Sequence, residues 1–117
     1  MADHNPIAMS TLEYHVLLAL ANGPLYGYAI KDAVATESTG ALTPRAGSLY
    51  RILARLMTRG LVTEAAPAGG GQPHPGLARK YYGLTAEGRR ALVAEARRLK
   101  GAVALAEERL RIAEGRS

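Results

Sequence analysis

The chain has 117 residues, 15 Lys or Arg against 10 Asp or Glu, a net charge of +5, and no Cys, Trp or Phe. The missing thiols exclude a disulfide scaffold, a thiolate zinc site and a cysteine nucleophile together. A hydrophobic share of 48% suits a globular chain, enough for one compact domain and one further long helix.

Ser10-Thr11-Leu12-Glu13 predicts a capping box at the start of a first helix, with Ser10 as N-cap. Leu12, Val16, Leu17, Ala19 and Leu20 give it an apolar face, and Asn22-Gly23-Pro24 stops it. A second helix is expected from about Tyr26 to Glu37, burying Ala29, Ile30, Ala33 and Val34, with Ser38-Thr39-Gly40 at its end.

The third helix is the most clearly marked. Thr43 is expected at its N-cap and Pro44 at its first position, where the missing N–H is harmless. Leu49, Ile52, Leu53 and Leu56 make its core stripe, and Gly60 closes it in the left-handed conformation. Leu61 to Glu64 reads as a short strand and Arg79 to Leu84 as a second. Between them Ala65 to Ala78 carries Pro67, Pro73, Pro75, Gly69, Gly70, Gly71 and Gly76, the composition of a loop within a hairpin or of a linker.

Thr85 then caps a last helix of roughly 30 residues. Its apolar positions, Leu92, Ala96, Leu99, Val103, Ala106, Leu110 and Ala113, alternate steps of four and three, a heptad seam. So narrow a stripe predicts packing against the same helix of a second copy; folding back on its own domain is the alternative. Gly101 weakens this helix and suggests close packing or a bend.

Helix, helix, helix, strand, loop, strand, helix is the order of a winged helix-turn-helix. The expected fold is mainly α with a small β-hairpin, residues 1–84 forming the DNA-binding head and 85–117 the dimerisation helix. Charge points the same way. Arg45, Arg51, Arg55, Arg59, Arg79 and Lys80 fall in one segment whose single acid is Glu64, while nine basic and nine acidic residues balance elsewhere. Such a patch attracts a polyanion by neutralising phosphates and releasing counterions; a merely solubilising surface is the other reading. Arg45, Ser48, Arg51, Arg55 and Arg59 stand opposite the leucine stripe, and a four-residue repeat keeps Arg51, Arg55 and Arg59 on one side. Guanidinium groups there bind phosphates or the O6/N7 edge of guanine, with base reading expected near the helix start, at Arg45, Gly47 and Ser48.

Gly23-Pro24-Leu25-Tyr26-Gly27-Tyr28-Ala29-Ile30 is the first of three blocks that carry a resemblance, being similar to the opening motif of the PadR family of regulators. Gly47-Ser48-Leu49-Tyr50 with Leu53, Leu56 and Gly60-Leu61-Val62 looks like its recognition helix, and Arg79-Lys80-Tyr81-Tyr82-Gly83-Leu84-Thr85-Ala86-Glu87-Gly88 like its wing strand and last-helix start. The resemblance, closest to the short subclass with a single C-terminal helix, implies a dimeric repressor released from DNA by a small effector. It also implies phosphate contacts from Tyr50 and Lys80, although a half-buried Tyr50 ring with a wet hydroxyl fits equally. Arg51 stands where the family often has Pro. The last helix lacks the aromatic that stacks on flat ligands in drug-sensing members, which argues against a pore of that type; Tyr14 is either a pore-lining or a core residue.

The expected DNA-binding set is therefore Thr43, Arg45, Gly47, Ser48, Tyr50, Arg51, Arg55, Arg79 and Lys80. The expected dimer interface is Leu92, Ala96, Leu99, Val103, Ala106 and Leu110. The partners are double-stranded DNA bearing a pseudo-palindromic operator, a second copy of the chain, and an effector. No cofactor is expected: His4, His15 and His74 are scattered, His4 beside Asp3 is too sparse for a metal, and Gly69-Gly70-Gly71 lacks the Lys-Ser/Thr of a nucleotide loop. His74, close in sequence to Arg79, is either a pH-sensitive phosphate contact or an exposed loop residue. A winged-helix module docking an acidic protein is the rival reading, and an enzyme is disfavoured by the lack of any nucleophile–base pairing. With no run of ~20 apolar residues and no basic, apolar leader in Met1–Met9, a cytoplasmic location is expected.

Overall fold

A computed structural model describes residues 9–67 and 79–115. His4 with Asp3, the Gly69-Gly70-Gly71 run, His74 and the Ala113 side chain, all singled out above, lie outside the described residues and side chains. The elements in order are α1 (Thr11–Ala19), β1 (Leu25–Tyr26), α2 (Gly27–Glu37), α3 (Ala46–Thr58), β2 (Val62–Ala65), β3 (Tyr81–Leu84) and α4 (Ala86–Gly115).

The capping box forms as its spacing requires: the Glu13 amide donates to Ser10 Oγ at 3.1 Å, and the Ser10 amide donates to Glu13 Oε1 at 2.9 Å. The start of α3 differs from expectation. Arg45, not Thr43, is the N-cap, extended at φ −78° and ψ 156° and without a side-chain cap. Pro44 therefore stands two residues before the helix and is buried in the turn from α2. Gly60 adopts φ 77° just past α3, and the Leu61 amide donates back to the Leu56 carbonyl at 2.9 Å.

The two expected strands pair antiparallel, from Val62 opposite Leu84 to Ala65 opposite Tyr81. A third strand, β1, joins the free side of β3, pairing Leu25 with Tyr82 and Tyr26 with Tyr81, so the sheet runs β1-β3-β2. Two residues between Pro24 and Gly27 are too few to show alternation, which is why no strand is expected there from the sequence.

One core joins every helix. Val16, Leu17 and Leu20 pack with Ile30 and Val34, with Leu49, Leu53 and Leu56 of α3, with Leu61, Val62 and Tyr82 of the sheet, and with Leu92 of α4. Each wholly buried aliphatic side chain contributes roughly 1.5–3 kcal/mol. The start of α4 is stitched to the end of α3: Thr85 Oγ1 donates to the Gly60 carbonyl at 2.6 Å and accepts from the Gly88 amide at 2.9 Å. A Cβ on Gly88 would run into the Leu61 carbonyl, so only glycine allows α4 to pass the start of the hairpin this closely. This is a winged helix-turn-helix head with one long helix leaving it.

Candidate nucleic-acid interface

The outward side of α3 begins at an open helix end. Arg45 supplies no side-chain cap, so the amides of the first turn, with Gly47 exposed among them, are free to meet an anion. Thr43, Arg45, Gly47 and Arg51 are exposed and Ser48 half-buried, while Arg51 Nη2 donates to Ser48 Oγ at 3.3 Å. No acidic residue occurs between Glu37 and Glu64, so this half of the helix carries uncompensated positive charge.

Tyr50 flanks that surface on the α2 side. Its phenol lies over Gly27: a Cβ there would sit 2.8 Å from Tyr50 Cζ and closer still to the hydroxyl. Tyr50 is 47% exposed, so its ring packs on the backbone of α2 while one edge stays wet. Together they border an open cleft of about 740 Å³ lined by Tyr26, Gly27, Tyr28, Tyr50, Arg79, Lys80 and Tyr82. The structure thus brings Arg79 and Lys80, ahead of β3, to the same cleft as Tyr50 of α3. The Arg79 guanidinium stacks 4.3 Å from the centre of the Tyr26 ring, and Lys80 Nζ lies 3.5 Å from Glu64 Oε2. Burial pushes the Tyr82 phenol up, keeping it a neutral hydrogen-bonding group. Tyr26, Tyr28 and Tyr82 were not among the expected site residues. Four of the six tyrosines gather in this one cleft, a meeting that only the pairing of β1 with β3 brings about.

The arginine repeat divides. Each four-residue step overshoots a full helical turn by about 40°, so the row winds from the outward side at Arg51 toward α1. Arg55 Nη1 donates to Glu13 Oε2 at 3.4 Å, and Arg59 Nη1 lies 3.8 Å from the same oxygen. The side chains remain 60% and 38% exposed respectively, against 8% for Glu13. Burial alone would raise the Glu13 pKa; the Ser10 amide, the Arg55 hydrogen bond and the Arg59 charge outweigh it and hold the carboxyl below its ordinary value.

Along α4 the expected seam also divides. Leu92 is buried in the core of its own head, so it is not a residue left over for a partner; it lies on the part of α4 that packs against α1 and β3. Ala96 and Leu99 are half-buried, and every residue from Lys100 to Arg111 is exposed, including Val103 at 56% and Leu110 at 63%. A Cβ on Gly101 would meet nothing within 4 Å in the chain, so the close packing expected there is absent within one copy. Tyr14 packs against the core and meets His15 edge-on at 5.7 Å. Among the described residues no three His, Asp or Glu side chains gather to hold a metal, and no helix is long and apolar enough to cross a membrane.

Residues 16–94 match the model of the transcriptional regulator PadR-like family. A 37.1 kDa protein of transposon TN4556 from Streptomyces fradiae is 43% identical over 91 residues, 75% of this chain; the chain spans only 24% of that protein. A PadR family transcription regulator from Clostridium difficile superposes with a TM-score of 0.69 at 22% identity, covering 86% of this chain and 99% of that one. Bacillus subtilis PadR in complex with operator DNA superposes with a TM-score of 0.59 at 27% identity, covering 73% of this chain and 46% of its own.

Proposed function

The chain belongs to the PadR-like family of transcriptional regulators, and on that footing we propose that it binds double-stranded DNA as a homodimer and represses transcription. The observation that carries this reading is the acid-free, exposed start of α3, with Arg45, Gly47, Ser48 and Arg51 beside open backbone amides. Such a helix end lies in a major groove with its first residues at the base edges. Thr43 approaches the backbone from the preceding turn. Tyr50, Arg79 and Lys80, sharing one cleft, flank the duplex and hold phosphates. The operator-bound Bacillus subtilis relative supports DNA as the partner.

The part of α4 beyond Leu92 pairs with its copy through Ala96, Leu99, Val103, Ala106 and Leu110. A two-fold dimer presents two α3 helices to half-sites about one helical turn apart, so the operator is pseudo-palindromic. Repression, and its relief by a small effector, follow from likeness to the family.

Fragments of the source genome, upstream regions included, are incubated with the purified chain, and those retained are sequenced. Recovery of a common inverted repeat, with transcription from it lowered by added protein, supports the reading. Binding that ignores salt, or an Arg51→Ala variant that binds as the parent does, overturns it.

A further inference from the structure

Two carboxylates are buried among the described residues, Glu13 and Glu95. Glu95 is satisfied within its own helix, accepting from Arg98 Nε at 3.0 Å. Glu13 instead reaches across to the arginine helix. We propose that Glu13 is an internal counter-anion that withholds Arg55 and Arg59 from the DNA backbone, leaving Arg45 and Arg51 as the phosphate-binding arginines of α3. The inference rests on the DNA-binding reading and divides the labour within it.

Three features fix the arrangement. Glu13 cannot swing away, because its Oε1 is held by the Ser10 amide at 2.9 Å as half of the capping box. The other oxygen is thereby aimed at α3, where Arg55 at 3.4 Å and Arg59 at 3.8 Å share it. The carboxyl is held ionised by these same neighbours. A phosphate that drew Arg55 off would leave a buried, uncompensated carboxylate behind, and breaking such a pair is strongly unfavourable. Arg51, one turn earlier, bonds only to the Ser48 hydroxyl among the described residues. Arg55 and Arg59 therefore set the pose of α3 against α1 as positioning residues. Glu13 also limits indiscriminate binding, since each free guanidinium would add sequence-independent affinity.

The salt dependence of binding reads the number of neutralised phosphates directly. A labelled random-sequence duplex is titrated with the full chain by fluorescence anisotropy across a fourfold range of NaCl. Arg51→Ala should flatten the log–log slope by about 0.9 for each phosphate no longer neutralised, roughly a 3.5-fold smaller affinity loss over that range. Arg55→Ala and Arg59→Ala should leave the slope as it is. Glu13→Gln, which keeps an acceptor for the Ser10 amide, should steepen it by about 0.9 to 1.8 per protomer as two guanidinium groups come free. Adding Arg55→Ala to Glu13→Gln should remove about half of that gain. An Arg55→Ala slope flattened like that of Arg51→Ala, or a folded Glu13→Gln chain with an unchanged slope, overturns the proposal. If Glu13→Gln does not fold, the two arginine variants decide alone: unchanged slopes support the proposal and a flattened one refutes it. An unaltered chain with no salt-dependent binding refutes the DNA reading and this inference together, whereas normal binding with a flattened Arg55→Ala slope refutes this inference only.

Discussion

Val103→Asp tests the proposed pairing of two copies along α4. Val103 and Leu110 are 56% and 63% exposed on a stretch of helix whose residues are all open to solvent within one copy. Full burial of such a side chain is worth ~1.5–3 kcal/mol, so covering the exposed part contributes about 1–2 kcal/mol per residue per copy. Across a two-fold axis the pair supplies about 4–8 kcal/mol, only comparable with the ~4–15 kcal/mol lost on association. The rest must come from Ala96, Leu99 and Ala106, and the balance is narrow. Asp at position 103 removes two copies of one contribution and faces two like charges, weakening the dimer by at least about 100-fold. In sedimentation velocity at about micromolar concentration the parent should run as a dimer and Val103→Asp as a monomer. Far-UV circular dichroism should show reduced helix in the variant, because an isolated stretch of ~15 residues is marginal in water. Leu105 is the control: it is 44% exposed but holds an outward heptad position, about 130° round the helix from the seam, so Leu105→Asp should leave the dimer intact. A dimeric Val103→Asp chain, or equal disruption by Leu105→Asp, would refute the seam.

The glycines give contrasting outcomes. Gly88→Ala drives a Cβ into the Leu61 carbonyl, a backbone atom that cannot move cheaply, and should cost about 1–3 kcal/mol in thermal or urea unfolding. Gly101→Ala meets open space on the side of α4 away from the seam and should stabilise by about 1 kcal/mol; a loss would place a close helix crossing there. Gly27→Ala collides only with the far end of the Tyr50 ring, so stability should shift by less than about 1 kcal/mol. DNA affinity should nevertheless fall as it does in Tyr50→Phe, measured by anisotropy. The Glu13 carboxyl has a folded pKa below its ordinary 4.5, so its contribution is present above that value and is lost as pH falls through the lowered one. Urea midpoints followed into acid should show that loss in the parent and a flatter decline in Glu13→Gln.

What the sequence made legible follows from the range of each signal. The Ser10–Glu13 box, the Gly60 cap and the Thr85 cap are decided within four residues, and the structure shows all three. The Leu49, Leu53 and Leu56 stripe and the short β2 and β3 strands were equally readable from periodicity. The helix α3 starts later than expected because propensity alone favours Pro44 at a first helical position, whereas the fold buries it in the preceding turn and leaves Arg45 as N-cap. Long-range pairings were out of reach. That Glu13 would meet Arg55, 42 residues away, depends on the packing of α1 on α3. Four-residue spacing put the arginines on one side but said nothing of the rotation that carries Arg55 and Arg59 toward α1. The cleft around Tyr50 likewise depends on β1, two residues that carry no pattern of their own.

The division of α4 is what makes its geometry consequential. Leu92 belongs to the core of the head, and Gly88 lets the helix pass beside Leu61 at an approach that leaves no room for a Cβ. The same unbroken helix continues past Lys100 into the exposed stretch. No flexible joint therefore separates the element that orients α3 from the element available to a second copy. Helices bend gently unless Pro, a π-bulge or an inserted group interrupts the ladder, and between Leu92 and Leu110 only Gly101 relaxes it. A change in the docking angle at Gly88 is transmitted as a lever, growing with distance along the helix, to the far end of α4. Anything that wedges between α4 and the head, in the cleft of about 300 Å³ lined by Met9, Leu61, Ala91, Ala94, Glu95 and Arg98 with Arg59, would alter that angle. In the proposed dimer, the separation of the two α3 helices then depends on the packing around Gly88.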